Sequence, residues 1–375
     1  MPPVWRTGFG RKKFHPWAAL HNGDKPEVFL RSTRPTGNIS RAEQKPVYNS
    51  CRPILNAKPF MILCIGTTPA VQRVMFFRQL RLDAVNRAHN TLEGAAGKAI
   101  NVAKVLRALG ERPLATGFLG GARGERIRQV LETKGIEAEF AKVPEETREC
   151  VTVINESEAT ITELVQESAA VTEADYESLR GIVLRNLPRC RAFVMSGTLT
   201  PGAKPDFYAE CVKLASKTNV LSVVDAQGPP LLKALATRPG LIKPNRGELA
   251  ATVERELMDE PALIRAMRDV QQLGAERVVV TAGAEPTLAL DAGKVWRISS
   301  PKITPVNPIG SGDCFTAGLV WRLLCGDDLG EAARWGAAAG AANALSPMPG
   351  ELEVADIKRL AAGVVVEQLA EFRCS

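Results

Sequence analysis

Apolar and polar residues follow two rhythms along this chain, and the switches between them outline a fold. From Met61 onward, short apolar runs of strand length (61–65, 114–119, 191–195, 220–224, 241–242, 277–281) alternate with segments whose apolar positions recur at helical spacing. That spacing predicts helices over 97–110, 124–134, 172–186, 205–217, 228–236, 245–254 and 260–273, with Gly110 and Gly135 closing the first two. Strand-like runs at 286–291 and 294–299 lead into a C-terminal third, 312–370, that is predicted to be helical. Apolar, β-branched strands alternating with helices predict an α/β fold whose mostly parallel central sheet is flanked by helices on both faces. Two stretches, about 73–92 and 149–166, do not alternate with helices. They predict a small separate β-sheet, a lid beside the α/β body.

Residues 1–60 show neither period. They hold eight prolines and eleven Lys/Arg against Asp24, Glu27 and Glu43, and this composition predicts a disordered basic leader. The leader carries +8 and the remaining 315 residues −1, out of a net +7 for all 375. The basic balance thus belongs to the leader, and no nucleic-acid partner is expected for the body. No apolar run approaches the ~18 residues needed to span a bilayer, so no membrane partner is expected and the location is expected to be cytoplasmic. The eight cysteines lack a C-x-x-C pair, and of His15, His21 and His89 only His89 lies in the body. Zinc sites, a dense disulfide framework and Ser-His-Asp chemistry are therefore not expected.

Four motifs carry candidate chemistry. The first is Asn307-Pro308-Ile309-Gly310-Ser311-Gly312-Asp313, entering an Ala- and Leu-rich helix. Small residues at a helix start leave its first N–H groups bare for an anion. An Asp at that mouth suits a base taking a hydroxyl proton beside an incoming phosphoryl group, although a plain N-cap would also place it there. The second is Gly94-Ala95-Ala96-Gly97-Lys98 with Asn101 one turn on, which offers close backbone approach, a cation and an amide; it is not a Walker A loop. The third is Lys243-Pro244-Asn245-Arg246-Gly247-Glu248, where Asn245 and Glu248 either hold a hydrated Mg²⁺ or form a capping box. The fourth is Thr281-Ala282-Gly283, a strand running into a small-residue turn suited to a nucleotide.

In joint order, with Ser196-Gly197-Thr198-Leu199-Thr200-Pro201-Gly202 between them, these motifs resemble the ribokinase (PfkB) family of carbohydrate kinases over about residues 61–365. Asn307-Pro308, Val85-Asn86-Arg87 and Thr147-Arg148 make the 1-phosphofructokinase and tagatose-6-phosphate kinase branch the most similar. The resemblance implies a ribokinase-like kinase domain over 61–375 that uses ATP and Mg²⁺ to phosphorylate a hydroxyl of a ketohexose phosphate, and it allows a homodimer through the lid. It implies Asp313 as base and Gly310, Ser311 and Gly312 as the anion hole. Lys243, Asn245, Glu248, Thr281, Gly283 and Asn343 are implied at the nucleotide, with Asn343 near the adenine and Asn245 and Glu248 reaching the metal through water. Gln72, Gly97, Lys98, Asn101 and Arg148 are implied at the sugar, with Lys98 and Arg148 meeting its phosphate.

Three motifs depart from the family pattern. Gln72 stands where an Asp is usual, Ala96 and Ala99 flank Gly97-Lys98 where glycines are usual, and Cys150 stands where an Asn is usual. The donor end is intact and the sugar end is altered. A kinase of an unphosphorylated sugar or nucleoside, and a non-catalytic nucleotide- or sugar-binding sensor, are the competing expectations. Since every candidate residue follows Met61, a chain beginning there is expected to fold, melt within a few degrees of the full chain and keep its activity. A loss of turnover on removing 1–60 would make the leader a functional arm.

Overall fold

The structure, a computed structural model, describes residues 60–369. The leader expected over 1–60 lies, Phe60 apart, outside the described residues. Among these, no helix is long and apolar enough to cross a membrane.

The strand Met61–Gly66 shows how the sheet is covered. Ile62 and Cys64 face one apolar cluster, formed with the helices Lys98–Ala108, Ser311–Leu324 and Leu329–Ala344. Met61, Leu63 and Ile65 face another, with Glu173–Asn186, Phe207–Ser216, Gly228–Leu235 and Glu260–Gln272. Alternation puts successive side chains on opposite faces, so a strand apolar at every position must be covered twice.

From one edge, the sheet runs Glu137–Ala138, Pro113–Leu119, Met61–Gly66, Cys190–Ser196, Leu221–Asp225, Leu241–Ile242 and Arg277–Ala282, all parallel. It continues antiparallel through Glu285–Asp291, Lys294–Ser299 and Val365–Leu369. The last strand corrects the expectation of a helical run to 370. Helices end at Ala361, and the β-branched stretch after Gly363 pairs with the exposed side of Lys294–Ser299, where an unpaired ladder was available.

The lid is a four-stranded sheet in the order Asn90–Ala96, Ala70–Phe77, Arg148–Asn155, Thr160–Val165. Its first two strands reach further inward than the expected 73–92 and leave 78–89 as their connection, so Gln72 and Gly94 lie within the lid itself. A small apolar cluster, centred on Val74, Ile154 and Met348, packs beneath it, while Val71 and Ala95 at its inner end join the first body cluster.

The helices Ser311–Leu324 and Leu329–Ala344 meet along a seam of small residues. A Cβ on Gly318 would stand 2.7 Å from the Trp335 carbonyl oxygen and 3.0 Å from the Ala339 methyl. Alanine there gains about 1 kcal/mol of helix propensity. Overpacking against backbone that cannot swing aside costs about 1–3 kcal/mol. Gly318→Ala is therefore expected to lower the urea midpoint, and a raised midpoint would show that the seam has slack.

Candidate active site

The expected motifs converge at the carboxyl ends of the parallel strands, the usual place for a ligand crevice in an open α/β sheet. A cleft of ≈ 320 Å³ lies there between lid and body, and its walls include Gln72, Gly97, Lys98, Asn101, Arg148, Lys243, Asn245, Glu248, Thr281 and Gly310 through Asp313.

Gly310 has φ 83°, in the left-handed region that favours glycine, and turns the chain into the helix that begins at Ser311. Asp313 is thus the third helical residue, and the N-cap alternative for it does not hold. The Ser311 amide bonds to Pro308 and the Asp313 amide to Gly310, while that of Gly312 finds no acceptor among the described residues. This bare N–H, with the positive end of the helix dipole, faces the cleft as an anion site.

Asp313 is buried beside it, and its Oδ2 accepts a hydrogen bond of 2.8 Å from Asn101 Nδ2. Burial raises the Asp313 carboxyl to about 6; the nearby Asp225 acts in the same sense, while Lys98, Asn101 and Lys243 oppose. The oxygen of the Asn101 amide, Oδ1, is buried with no partner among the described residues.

Asp225, which sequence analysis did not single out, ties the centre together. It is 0% exposed at the end of Leu221–Asp225. Its Oδ1 lies 3.4 Å from Lys98 Nζ and its Oδ2 3.3 Å from Lys243 Nζ, with Thr316 Oγ1 donating to Oδ2 at 3.4 Å. Burial works against its charge, but Lys243 and Lys98 outweigh it and hold the carboxyl below its ordinary range. Asp225 in turn raises Lys98, against burial, with Asp313 and Glu248 adding to the effect. A charge directly after the strand-like run 220–224 was the available signal for this residue.

Asn245 and Glu248 form a reciprocal capping box, each side chain accepting the other's backbone N–H at 2.8 Å. Glu248 Oε1 also accepts from Lys98 at 3.2 Å. Thr281 bridges to Asn245 in parallel, and its N–H reaches the Pro244 carbonyl. Gly283, with φ 64°, makes the two-residue hairpin turn that follows.

Asn343, expected near the adenine, has a different place. It is 0% exposed, and its amide donates to Ile309 O and Ser311 Oγ and accepts from the Cys314 thiol and the Gly350 amide. All of its bonding capacity goes into clamping the glycine loop.

On the lid side, Gln72 is buried and its Nε2 donates to Thr152 at 2.9 Å. The Arg148 guanidinium donates to the carbonyls of Thr68 and Gln166, and no acidic group within ion-pairing distance among the described residues offsets its charge. Cys150 is a buried thiol at the cleft wall, its pKa raised by burial.

The sequence profile described as pfkB family carbohydrate kinase matches residues 60–353. This chain belongs to the pfkB family. It is 33% identical to the tagatose-6-phosphate kinase of Staphylococcus epidermidis over 267 residues, 70% of this chain and 86% of that one. It is 32% identical to the 1-phosphofructokinase of Borreliella burgdorferi over 311 residues, 82% and 99% of the two chains. Among solved structures, Escherichia coli phosphofructokinase-2 in complex with substrates and products superimposes with a TM-score of 0.74 at 27% identity, covering 81% of this chain and 99% of that one.

The protein is therefore a carbohydrate kinase with the ribokinase-like fold, and ATP is its phosphoryl donor. In this pfkB kinase, Asp225→Asn would leave Lys243 buried without its counter-charge. Breaking a buried pair costs about 3–5 kcal/mol, and a loss of that order is expected in urea unfolding. The loss should shrink toward acid pH. A carboxyl with a depressed folded pKa contributes above its unfolded value near ~3.9 and ceases to contribute as pH falls through the folded value. A native midpoint for Asp225→Asn would refute the pairing.

Proposed function

We propose that this pfkB kinase transfers the γ-phosphoryl of ATP to a hydroxyl of a ketohexose phosphate, of the fructose 1-phosphate or tagatose 6-phosphate type, giving a bisphosphate and ADP. The observation that carries this is the pairing of a buried carboxylate, Asp313, with a bare helix-N-terminal amide, Gly312, in one cleft. A hydroxyl between them has a proton acceptor on one side and a stabilised phosphoryl oxygen on the other. The names of the curated relatives supply the substrate class.

In this scheme Asn101 holds Asp313 in one rotamer by bonding to Oδ2, which leaves Oδ1 to take the hydroxyl proton. Gly310, Ser311 and Gly312 cradle the transferring group. Lys243, held by Asp225, and Lys98, shared by Asp225 and Glu248, offset the charge that gathers on the phosphates. Thr281 and Gly283 border the nucleotide, and Gly97 lets the acceptor approach the backbone.

No group of three or more His, Cys, Asp or Glu that could hold a metal is present among the described residues. This fits a magnesium ion that keeps its water shell and arrives with ATP, with Glu248 and Asn245 beside its waters. When bound, held through water by Asn245 and Glu248, it would offset negative charge on the phosphates. At the acceptor end, Arg148 keeps a charge offset by no nearby acid and is the cation best placed for the phosphate the sugar already carries.

An ADP-release assay over fructose 1-phosphate, fructose 6-phosphate, tagatose 6-phosphate and free fructose tests the substrate class. Preference for free fructose would replace it with an unphosphorylated acceptor, and turnover with none would favour the sensor alternative. Asp313→Asn is expected to lower kcat roughly 10²–10⁴-fold with ATP binding retained. In the native enzyme kcat/KM should rise with pH through about 6, as Asp313 loses its proton. The same group disfavours the fold at neutral pH. Its raised folded pKa makes stability increase as pH falls through about 6, so Asp313→Asn should melt above the native protein at pH 7.5. An active Asp313→Asn variant would remove Asp313 as base.

A further inference from the structure

One ionisable group on the cleft face of the lid has no role in that chemistry. Glu163 stands on Thr160–Val165, directly opposite Thr152 in the antiparallel pair with Arg148–Asn155. It lines the same cleft as Gln72, Arg148 and Cys150. Every other acid of the cleft has a partner: Asp225 has two lysines, Glu248 has Lys98 and the Asn245 amide, and Asp313 has Asn101. The Glu163 carboxylate has none among the described residues. The residue is exposed on the edge strand of the lid and lies within electrostatic reach of Arg148.

An exposed carboxylate on a cleft wall is free to accept hydrogen bonds from a ligand. Beside it, Gln72 spends one of its two amide N–H groups on Thr152 and keeps the other N–H and its carbonyl oxygen. This part of the lid therefore offers a carboxylate acceptor beside an amide. It repels phosphate and suits hydroxyl groups. Thr152 lies four residues along the strand from Arg148, on the same face, so Arg148 and Glu163 both border the lid side of the cleft.

We propose that Glu163 is a specificity-determining residue, accepting hydrogen bonds from hydroxyls of the acceptor sugar and turning its phosphate toward Arg148. This rests on the sugar kinase function proposed for the same cleft. Kinetics of Glu163→Gln and Glu163→Ala, on the acceptor that the native enzyme turns over fastest, test it. A charge-assisted contact predicts a KM for that sugar raised roughly 10- to 150-fold with the KM for ATP unchanged. The monodeoxy sugar lacking the contacted hydroxyl should no longer distinguish native from Glu163→Gln.

An unchanged sugar KM in both variants, or equal losses on sugar and ATP, would overturn the assignment. The two proposals fail differently. Preference of the native enzyme for free fructose removes the substrate class while Glu163 is still read on that sugar. A phosphorylated acceptor with an unchanged variant KM removes Glu163 alone.

Discussion

A fully buried carboxylate is tolerated only when its charge is answered at close range, and Asp225 is answered from two directions. Lys98 comes from a helix start early in the chain and Lys243 from the end of a two-residue strand. Joining them at one carboxylate fixes three strand ends and the helix bearing Thr316 against one another. The lysines are also among the groups that draw Asp313 back from complete neutralisation by burial. The Asp313 carboxyl is therefore tuned by a network whose centre it does not touch.

Around that network, small residues and one amide hold the backbone. Asn343 clamps the glycine loop from behind, and the Pro349 ring lies so close that a side chain on Gly310 would meet it at 2.8 Å. The buried ammonium of Lys104 bonds to the carbonyls of Ala95 and Pro349, joining lid to body on the far side of the same loop. Burial lowers its pKa to about 8. The body rests on two large apolar clusters, and the lid on one small one together with Val71 and Ala95 set into the first, so most of the apolar packing lies in the body. The acceptor meets the more weakly packed part.

The two ends of the cleft differ in charge for the same reason. Toward the nucleotide, lysines and carboxylates are interlocked and nearly balanced. Toward the lid, Arg148 and Glu163 stand apart without ionic partners among the described residues, so their charges remain available to a ligand. Of the departures from the family pattern, Gln72, Ala96 and Cys150 line this second end, while Ala99 packs into the body core.

The sequence by itself determined the alternating body, the existence of a lid and the main catalytic motifs. Strand length, helical period and glycine position are local properties that short segments carry. Asp313, Lys98, Asn101 and Asn245–Glu248 were legible because each sits in a motif whose spacing has a local consequence, such as a helix start or a capping box. Tertiary structure alone decided the rest. Val365–Leu369 became a strand because an edge was open to it. Asn343 turned inward because the loop it clamps passes over it, and Asp225 gained its role because two distant lysines arrive at its carboxylate. Glu163 faces the cleft because strand pairing sets it opposite Thr152. None of these depends on neighbours in sequence; each follows from which groups the fold brings into contact and from the cost of leaving a buried charge or a sheet edge unanswered.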